Sequence, residues 1–354
     1  PQGATGPQGA LGTSSITALS DVLVEDESVY IGNDPSATTD TAPYNIAVGT
    51  TALDAITTGD YNVAIGYNAL TSNTTGRLNT ASGNKTLSSN TTGQHNSAIG
   101  TDALYSNTIG NYNTASGSNA LQSNTTGEDN TASGAYSLYA NTSGFQNTAL
   151  GFRALYVNTT GAYNTASGVL ALAANTTGDY NVAIGYNALT SNTTGRLNTA
   201  SGNKTLSSNT TGQHNSAIGT DALYSNTIGN YNTASGSNAL QSNTTGEDNT
   251  ASGAYSLYAN TSGFQNTALG FRALYVNTTG AYNTASGVAA LAANTTGIGN
   301  IASGHSALYS NTTGNYNAAL GGLVGNTTGS YNTSAGSYAV DKSTTGADNS
   351  AFGA

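Results

Sequence analysis

From Asn45 almost to the C-terminus, one pattern returns every 17 residues: Asn-x-Ala-x-Gly-x-x-Ala-Leu-x-x-Asn-Thr-Thr-Gly-x-x. A fixed short period of this kind is the mark of a solenoid or fibre, in which each unit buries its apolar side only against its neighbours. The opening Asn falls at Asn45, Asn62, Asn79 and Asn96, keeps its 17-residue step to Asn317, and resumes after a two-residue deletion at Asn332 and Asn349. Gly stands four positions later in every unit. Ala stands two positions later except where Ser334 replaces it, and Leu fills the eighth position from Leu53 to Leu308. Inside a single chain such invariance is a packing requirement, because every unit must present one shape to the next. Asn62, Ala64, Gly66 and Leu70, followed by Asn79, Ala81, Gly83 and Leu87, are therefore read as the structural ladder. The variable pairs, such as Asp60-Tyr61 and Arg77-Leu78, are expected to face water or partners.

Each unit offers two short strand candidates, the Asn-Thr-Ala-Ser-Gly arm and the Ala-Leu arm, with turns at Gly and at Asn-Thr-Thr-Gly. No arm is long enough for a helix, and Thr, Asn and Gly all disfavour one. The expected fold is all-β, a parallel β-roll or β-solenoid of 17-residue coils; 19 coils at one strand spacing each predict a rod on the order of 90 Å. The Asn column is expected to stack as a ladder of side-chain amides, each donating to one neighbour and accepting from the other. The residues after the Ala, such as Ile65, Ser82 and Leu150, are expected to lie against a neighbouring chain.

Composition removes several classes of function. Only 7% of residues are charged, 45 are Gly, and Cys, Met and Trp are absent. Without cysteine there are no disulfides, thiolate metal sites or cysteine nucleophiles. Of the 17 acids, eight (Asp21, Glu25, Asp26, Glu27, Asp34, Asp40, Asp54 and Asp60) precede any Lys or Arg, so the rest of the chain carries nine acids against seven bases. No basic face is available for duplex nucleic acid, and no nucleic-acid partner is expected. No apolar run approaches the roughly 20 residues that span a bilayer, so no membrane insertion is expected. The N-terminus carries no signal-peptide pattern, which suggests a fragment or a product that reaches the exterior by assembly or lysis.

Three segments follow from these patterns. Residues 1–12 place Gly at every third position, a collagen-like Gly-X-Y tract in which only Gly fits where three chains meet. The tract starts in mid-triplet and the chain stops in mid-unit at Phe352-Gly353-Ala354, so a segment of a longer protein is expected. Residues 13–43 are non-repetitive, with two short β-branched runs at Asp21–Val24 and Ser28–Gly32 that read as strands of a neck or adaptor. Residues 44–354 are the repeats. Within them 59–177 recurs as 178–296, a 119-residue block of seven units differing only at Leu170 against Ala289. A collagen-like tract needs three chains, and a coil with so thin a core buries little apolar area alone. A parallel homotrimer satisfies both.

The Asn62–Gly66 and Asn96–Gly100 stretches resemble the head repeats of trimeric autotransporter adhesins, which implies β-rolls packed in parallel as trimers. The Gly-Pro-Gln-Gly-Ala tract, the stretch from Leu19 to Asp34 and the Asn-Thr-Thr-Gly repeats together resemble tail-fibre proteins of marine bacteriophages, particularly those infecting cyanobacteria. That second resemblance implies a structural shaft in the virion tail fibre, outside the cell. It would space a receptor-binding tip from the virion and meet other tail or fibre proteins at its ends. The alternatives are a trimeric adhesin on a bacterial surface, whose β-roll binds a host or matrix ligand, and an ice-binding solenoid built on Thr columns.

No catalytic constellation, metal site or cofactor site is read from the chain, and the duplication favours a spacer over an enzyme. His95, His214 and His305 are read as solvated turn residues rather than metal rings in a trimer, and Glu128-Asp129 and Glu247-Asp248 as turn pairs. The sequon at Asn73–Thr75 is read as a by-product of turn chemistry. Tyr61, Tyr112, Tyr163, Tyr180, Tyr231 and Tyr282, with Tyr316 and Tyr331, each precede the ladder Asn. Such an aromatic stripe can stack on surface polysaccharide; the preferred reading is that each ring covers the adjacent coil or the trimer seam.

Overall fold

The computed structural model describes residues 22–25, 27–32, 41–336 and 344–353. These residues form a parallel β-solenoid of 17-residue coils, with no helix among them. The chain divides into two units, Pro1–Glu128 and Asp129–Ala354. The collagen-like tract at 1–12 lies outside the described residues, as does much of the 13–43 segment.

In the first unit the two expected strands of that segment are present. β1 (Val22–Glu25) and β2 (Ser28–Ile31) pair antiparallel, Val22 opposite Ile31, with Glu27 at a φ of 61° in the turn. β2 also pairs in parallel with β3 (Ile46–Val48), Val29 opposite Ile46, so the hairpin supplies the first rung of the stack. Tyr30 takes the inward place that Ala holds in later coils and is fully buried. Ser28 takes the place of the ladder Asn: its hydroxyl accepts the Asn45 N–H at 2.9 Å and donates to the Ala42 carbonyl at 3.0 Å.

From β3 to β7 (Thr114–Ser116) each coil contributes one three-residue strand, stacked in register so that Ala64, Ala81 and Ala98 lie directly over one another. The strands are short because the chain leaves them at Gly. Gly83 has a φ of +141°, and a Cβ there would stand 2.7 Å from the Gly100 carbonyl oxygen of the next coil. The middle Ala points inward and is buried, while the residues on either side of it face outward. Leu70, Leu87 and Leu104 are fully buried, as the coil assignment requires. Burying each such side chain is worth about 1.5–3 kcal/mol.

The Ala-Leu arm is not the second strand expected from its sequence. Asn68 and Leu70 have φ of 55° and 52°, and the same left-handed pair recurs as Lys85 and Leu87. A left-handed residue at every second position curls the arm out of extended geometry. For a residue such as Leu this conformation costs about 1–2 kcal/mol. Regular bonds between coils offset the strain: Leu70 N–H donates to the Thr86 carbonyl at 3.0 Å and Ser72 N–H to the Ser88 carbonyl at 3.1 Å. At the next corner the N–H groups of Thr74, Thr75 and Gly76 converge on the Thr91 carbonyl at 3.0, 3.2 and 3.3 Å. The Thr74 hydroxyl donates to the same oxygen at 3.1 Å.

The second unit repeats this plan from β8 (Thr131–Ser133) to β21 (Ser350–Phe352). Its two-residue deletion falls between Gly321 and Asn326, in the curled arm, and Leu323 still turns inward there, 1% exposed.

Candidate functional site

The expected amide ladder is present, and it is double. In the column read from sequence, the Asn79 side-chain amide donates to Asn62 Oδ1 at 3.1 Å and to the Gly93 carbonyl at 2.9 Å. Asn79 Oδ1 in turn accepts the backbone N–H and side-chain amide of Asn96 at 3.0 and 3.1 Å. All four hydrogen-bonding positions of the side chain are thereby used inside the coil. A second column, not recognised from sequence, is formed by the Asn of Asn-Thr-Thr-Gly: Asn90 donates to Asn73 Oδ1 at 2.8 Å and Asn107 to Asn90 Oδ1 at 2.8 Å. The signal for it was the invariance of this Asn from Asn73 to Asn326, which the turn motif masked. Asn73 is fully buried, so the sequon at Asn73–Thr75 presents no free amide at its surface. Both columns recur in the second unit, where Asn164 donates to Asn147 Oδ1 at 3.2 Å and Asn158 to Asn141 Oδ1 at 2.8 Å.

With the ladder side chains from Asn45 to Asn332 turned inward, a partner of these coils would meet their outer faces. The strand face carries only hydroxyl and apolar side chains on either side of the buried Ala: Val63 and Ile65, Thr80 and Ser82, Ser97 and Ile99, and so on through each unit. Among the described residues, no strand from β3 onward carries a charged residue. Charges in the coils sit elsewhere, such as Arg77 before the ladder Asn and Lys85 and Asp102 on the curled arm. Ile99 and Ile218 are 53% and 54% exposed on this face.

The tyrosines before the ladder Asn are also exposed, and all occupy left-handed corners, with φ between 57° and 60° for Tyr61, Tyr112, Tyr163, Tyr180, Tyr231 and Tyr282. The structure brings some of them together and separates others. Tyr163 and Tyr180 stack at 4.6 Å and 4°. Tyr61 stacks on Tyr44, Tyr112 on His95 and Tyr231 on His214, at 4.7 to 4.8 Å. Tyr282 meets Phe264 edge-on. Leu78, Leu197, Asp248, Gln265 and Gly299 occupy the same corner, so the column is a series of short stacks rather than one stripe. His95 and His214 therefore belong to aromatic stacks, and the described residues contain no cluster of three or more potential metal ligands.

A further aromatic column lies on the curled arm, one position after the buried Leu, and sequence reading passed over it. In the second unit Tyr139 stacks on Tyr156 at 5.2 Å, and Tyr258 on Tyr275 at the same distance. Arg153 lies over Tyr156 at 5.1 Å and Arg272 over Tyr275 at 5.3 Å. No protein-family model matches the chain, and neither does any curated protein sequence.

Proposed function

We propose that this chain is the shaft of a homotrimeric fibre, a spacer whose reach is set by its number of coils, as in a phage tail fibre. The observation that supports this reading best is the strand face. Among the described residues it is free of charge from β3 onward and leaves large apolar side chains such as Ile65, Ile99, Ile184 and Ile218 exposed in the single chain. Exposed apolar surface repeated along a face is the property of an interaction surface. Three identical faces, placed side by side in parallel, would bury these residues without desolvating any ion. The collagen-like tract at 1–12 has the same threefold requirement. The 119-residue duplication, identical but for one residue, fits a spacer, since whole coils add length without disturbing either amide column.

The test is the mass of the protein in solution. Light scattering is expected to give three chains, and replacing Ile99 and Ile218 together by Lys is expected to give single chains that keep their β circular dichroism. A single chain for the unaltered protein, or trimers that survive the double substitution, would overturn the strand-face assembly.

A further inference from the structure

On the curled arm of the second unit the aromatic column is interrupted from Ala173 to Ser207, at Gln241 and at Ala292. Successive coils place Tyr258, Tyr275, Ala292 and Tyr309 at the same position, one after the buried Leu. Tyr258 and Tyr275 stack at 5.2 Å, but Ala292 leaves the next level without a ring, and Tyr309 resumes the column above it. Around this gap is a half-open cleft of about 350 Å³. Tyr275 and Tyr309 form two of its walls, and Val288, Ala289 and Ala292 belong to the coil between them. Its volume lies at the lower end of the range of about 300–1,000 Å³ typical of small-ligand sites.

The duplicated block bears on this place directly. The single difference between the copies, Leu170 against Ala289, falls in the cleft lining. The backbone is alike at both residues, with φ of 60° and 56° and N–H groups donating to Phe152 and Phe271. The change is therefore one of side-chain volume alone. Two coils above Tyr156, just past the end of the first copy, stands Thr190, so the second ring is absent there. At the end of the second copy the smaller Ala289 is combined with a second ring, Tyr309, which lies just beyond the duplicated block.

We infer that the cleft between Tyr275 and Tyr309 is a binding site for one acidic pyranose residue of a saccharide. Two coils separate the rings by about 9.5 Å at one strand spacing per coil. A flat aromatic ring between them needs two contacts of about 3.5–4.0 Å, a total nearer 7–8 Å, and would fit loosely. A chair-form sugar is thicker, presents C–H groups to both tyrosine faces, and keeps its hydroxyl rim toward the open side. The only charged side chain lining the cleft is Arg272, held over Phe271 and Tyr275 at 5.1 and 5.3 Å. Its planar guanidinium suits a carboxylate, so a uronate is preferred to a neutral sugar. The site lies within one chain and off the strand face, so it does not depend on the fibre reading. A shaft with an unused cleft would still be a shaft.

The test is calorimetric titration of the full chain with a mannuronate tetrasaccharide and with neutral cellotetraose. The uronate is expected to bind at one site per chain and the neutral sugar at least tenfold more weakly. The double variant Ala289→Leu, Tyr309→Thr gives the cleft the residues that the chain already carries at the equivalent positions Leu170 and Thr190, and is expected to lose uronate binding at least tenfold with its thermal midpoint retained. Ala292→Tyr, which completes the aromatic column, is expected to abolish binding. Absence of uronate binding in the unaltered protein, binding unchanged by the double variant, or equal affinity for cellotetraose would each overturn the assignment.

Discussion

Asn79 and Asn90, from two different columns, donate to one acceptor: both side-chain amides reach the Gly93 carbonyl, at 2.9 and 3.0 Å. That oxygen ties the two Asn ladders of a coil to each other, while each amide also reaches the coil before it. The two residues are unequal in what else they hold. Asn79 Oδ1 is the acceptor for the backbone N–H of Asn96, whereas Asn90 Oδ1 receives only the side-chain amide of Asn107. An orphaned buried polar group costs about 1–3 kcal/mol. Asn79→Ala, which strands a main-chain donor and side-chain groups together, is expected to lower the thermal midpoint more than Asn90→Ala. Circular dichroism melts of the two variants check the order, and equal losses would contradict it.

Gly83 offers a backbone test. Its φ of +141° and the 2.7 Å approach of a Cβ to the Gly100 oxygen leave no accommodation for Ala. Gly83→Ala is expected to cost more than about 1 kcal/mol, the sign opposite to that of Gly-to-Ala changes at unstrained sites. Chemical denaturation reads this directly.

Lys85 and Leu87 share the left-handed conformation, at 54° and 53°, but only Leu87 is buried. Lys85→Gly removes strain and sacrifices no core, so it is expected to stabilise by up to about 1 kcal/mol. Leu87→Gly relieves the same strain and empties the core, with an expected net loss of about 2–4 kcal/mol. Opposite shifts in midpoint for two substitutions to the same residue would establish that burial holds the arm in its curled path.

Removing residues 178–296 joins Thr177 to Gly297 and keeps the 17-residue register into Asn300. The shortened chain is expected to fold, and particles seen by electron microscopy are expected to lose about 34 Å, seven strand spacings. A loss of folding, or an unchanged length, would contradict the spacer reading.

The period, the inward Asn, Ala and Leu and the Gly corners were legible because each is repeated without variation, and repetition reports packing. What the Ala-Leu arm does was not legible in the same way. A short apolar arm bounded by turns at Gly66 and Asn73–Gly76 suggests a strand, and nothing in a Leu announces a positive φ; that conformation is held by the bond from Leu70 to Thr86 and by burial. The second ladder was overlooked because Asn-Thr-Thr-Gly is also good turn chemistry, and Asn73 does both jobs at once. The tyrosine column before the ladder Asn was visible, but its breaks at Leu78 and Gln265 matter only once stacking distances are known. The gap at Ala292 needed the third dimension, since Tyr275 and Tyr309 lie 34 residues apart in sequence and two coils apart in space.

The shortened arm between Gly321 and Asn326 has a practical consequence. Two residues are missing there, yet Asn326 still reaches Asn311 at 2.9 Å and Asn332 still reaches Asn317 at 3.0 Å. The circumference of a coil is thus adjustable along this one arc without disturbing either amide column. A foreign peptide grafted into the arc of a chosen coil would be displayed on the outside at a known height, and several grafts could be set at chosen multiples of a single strand spacing.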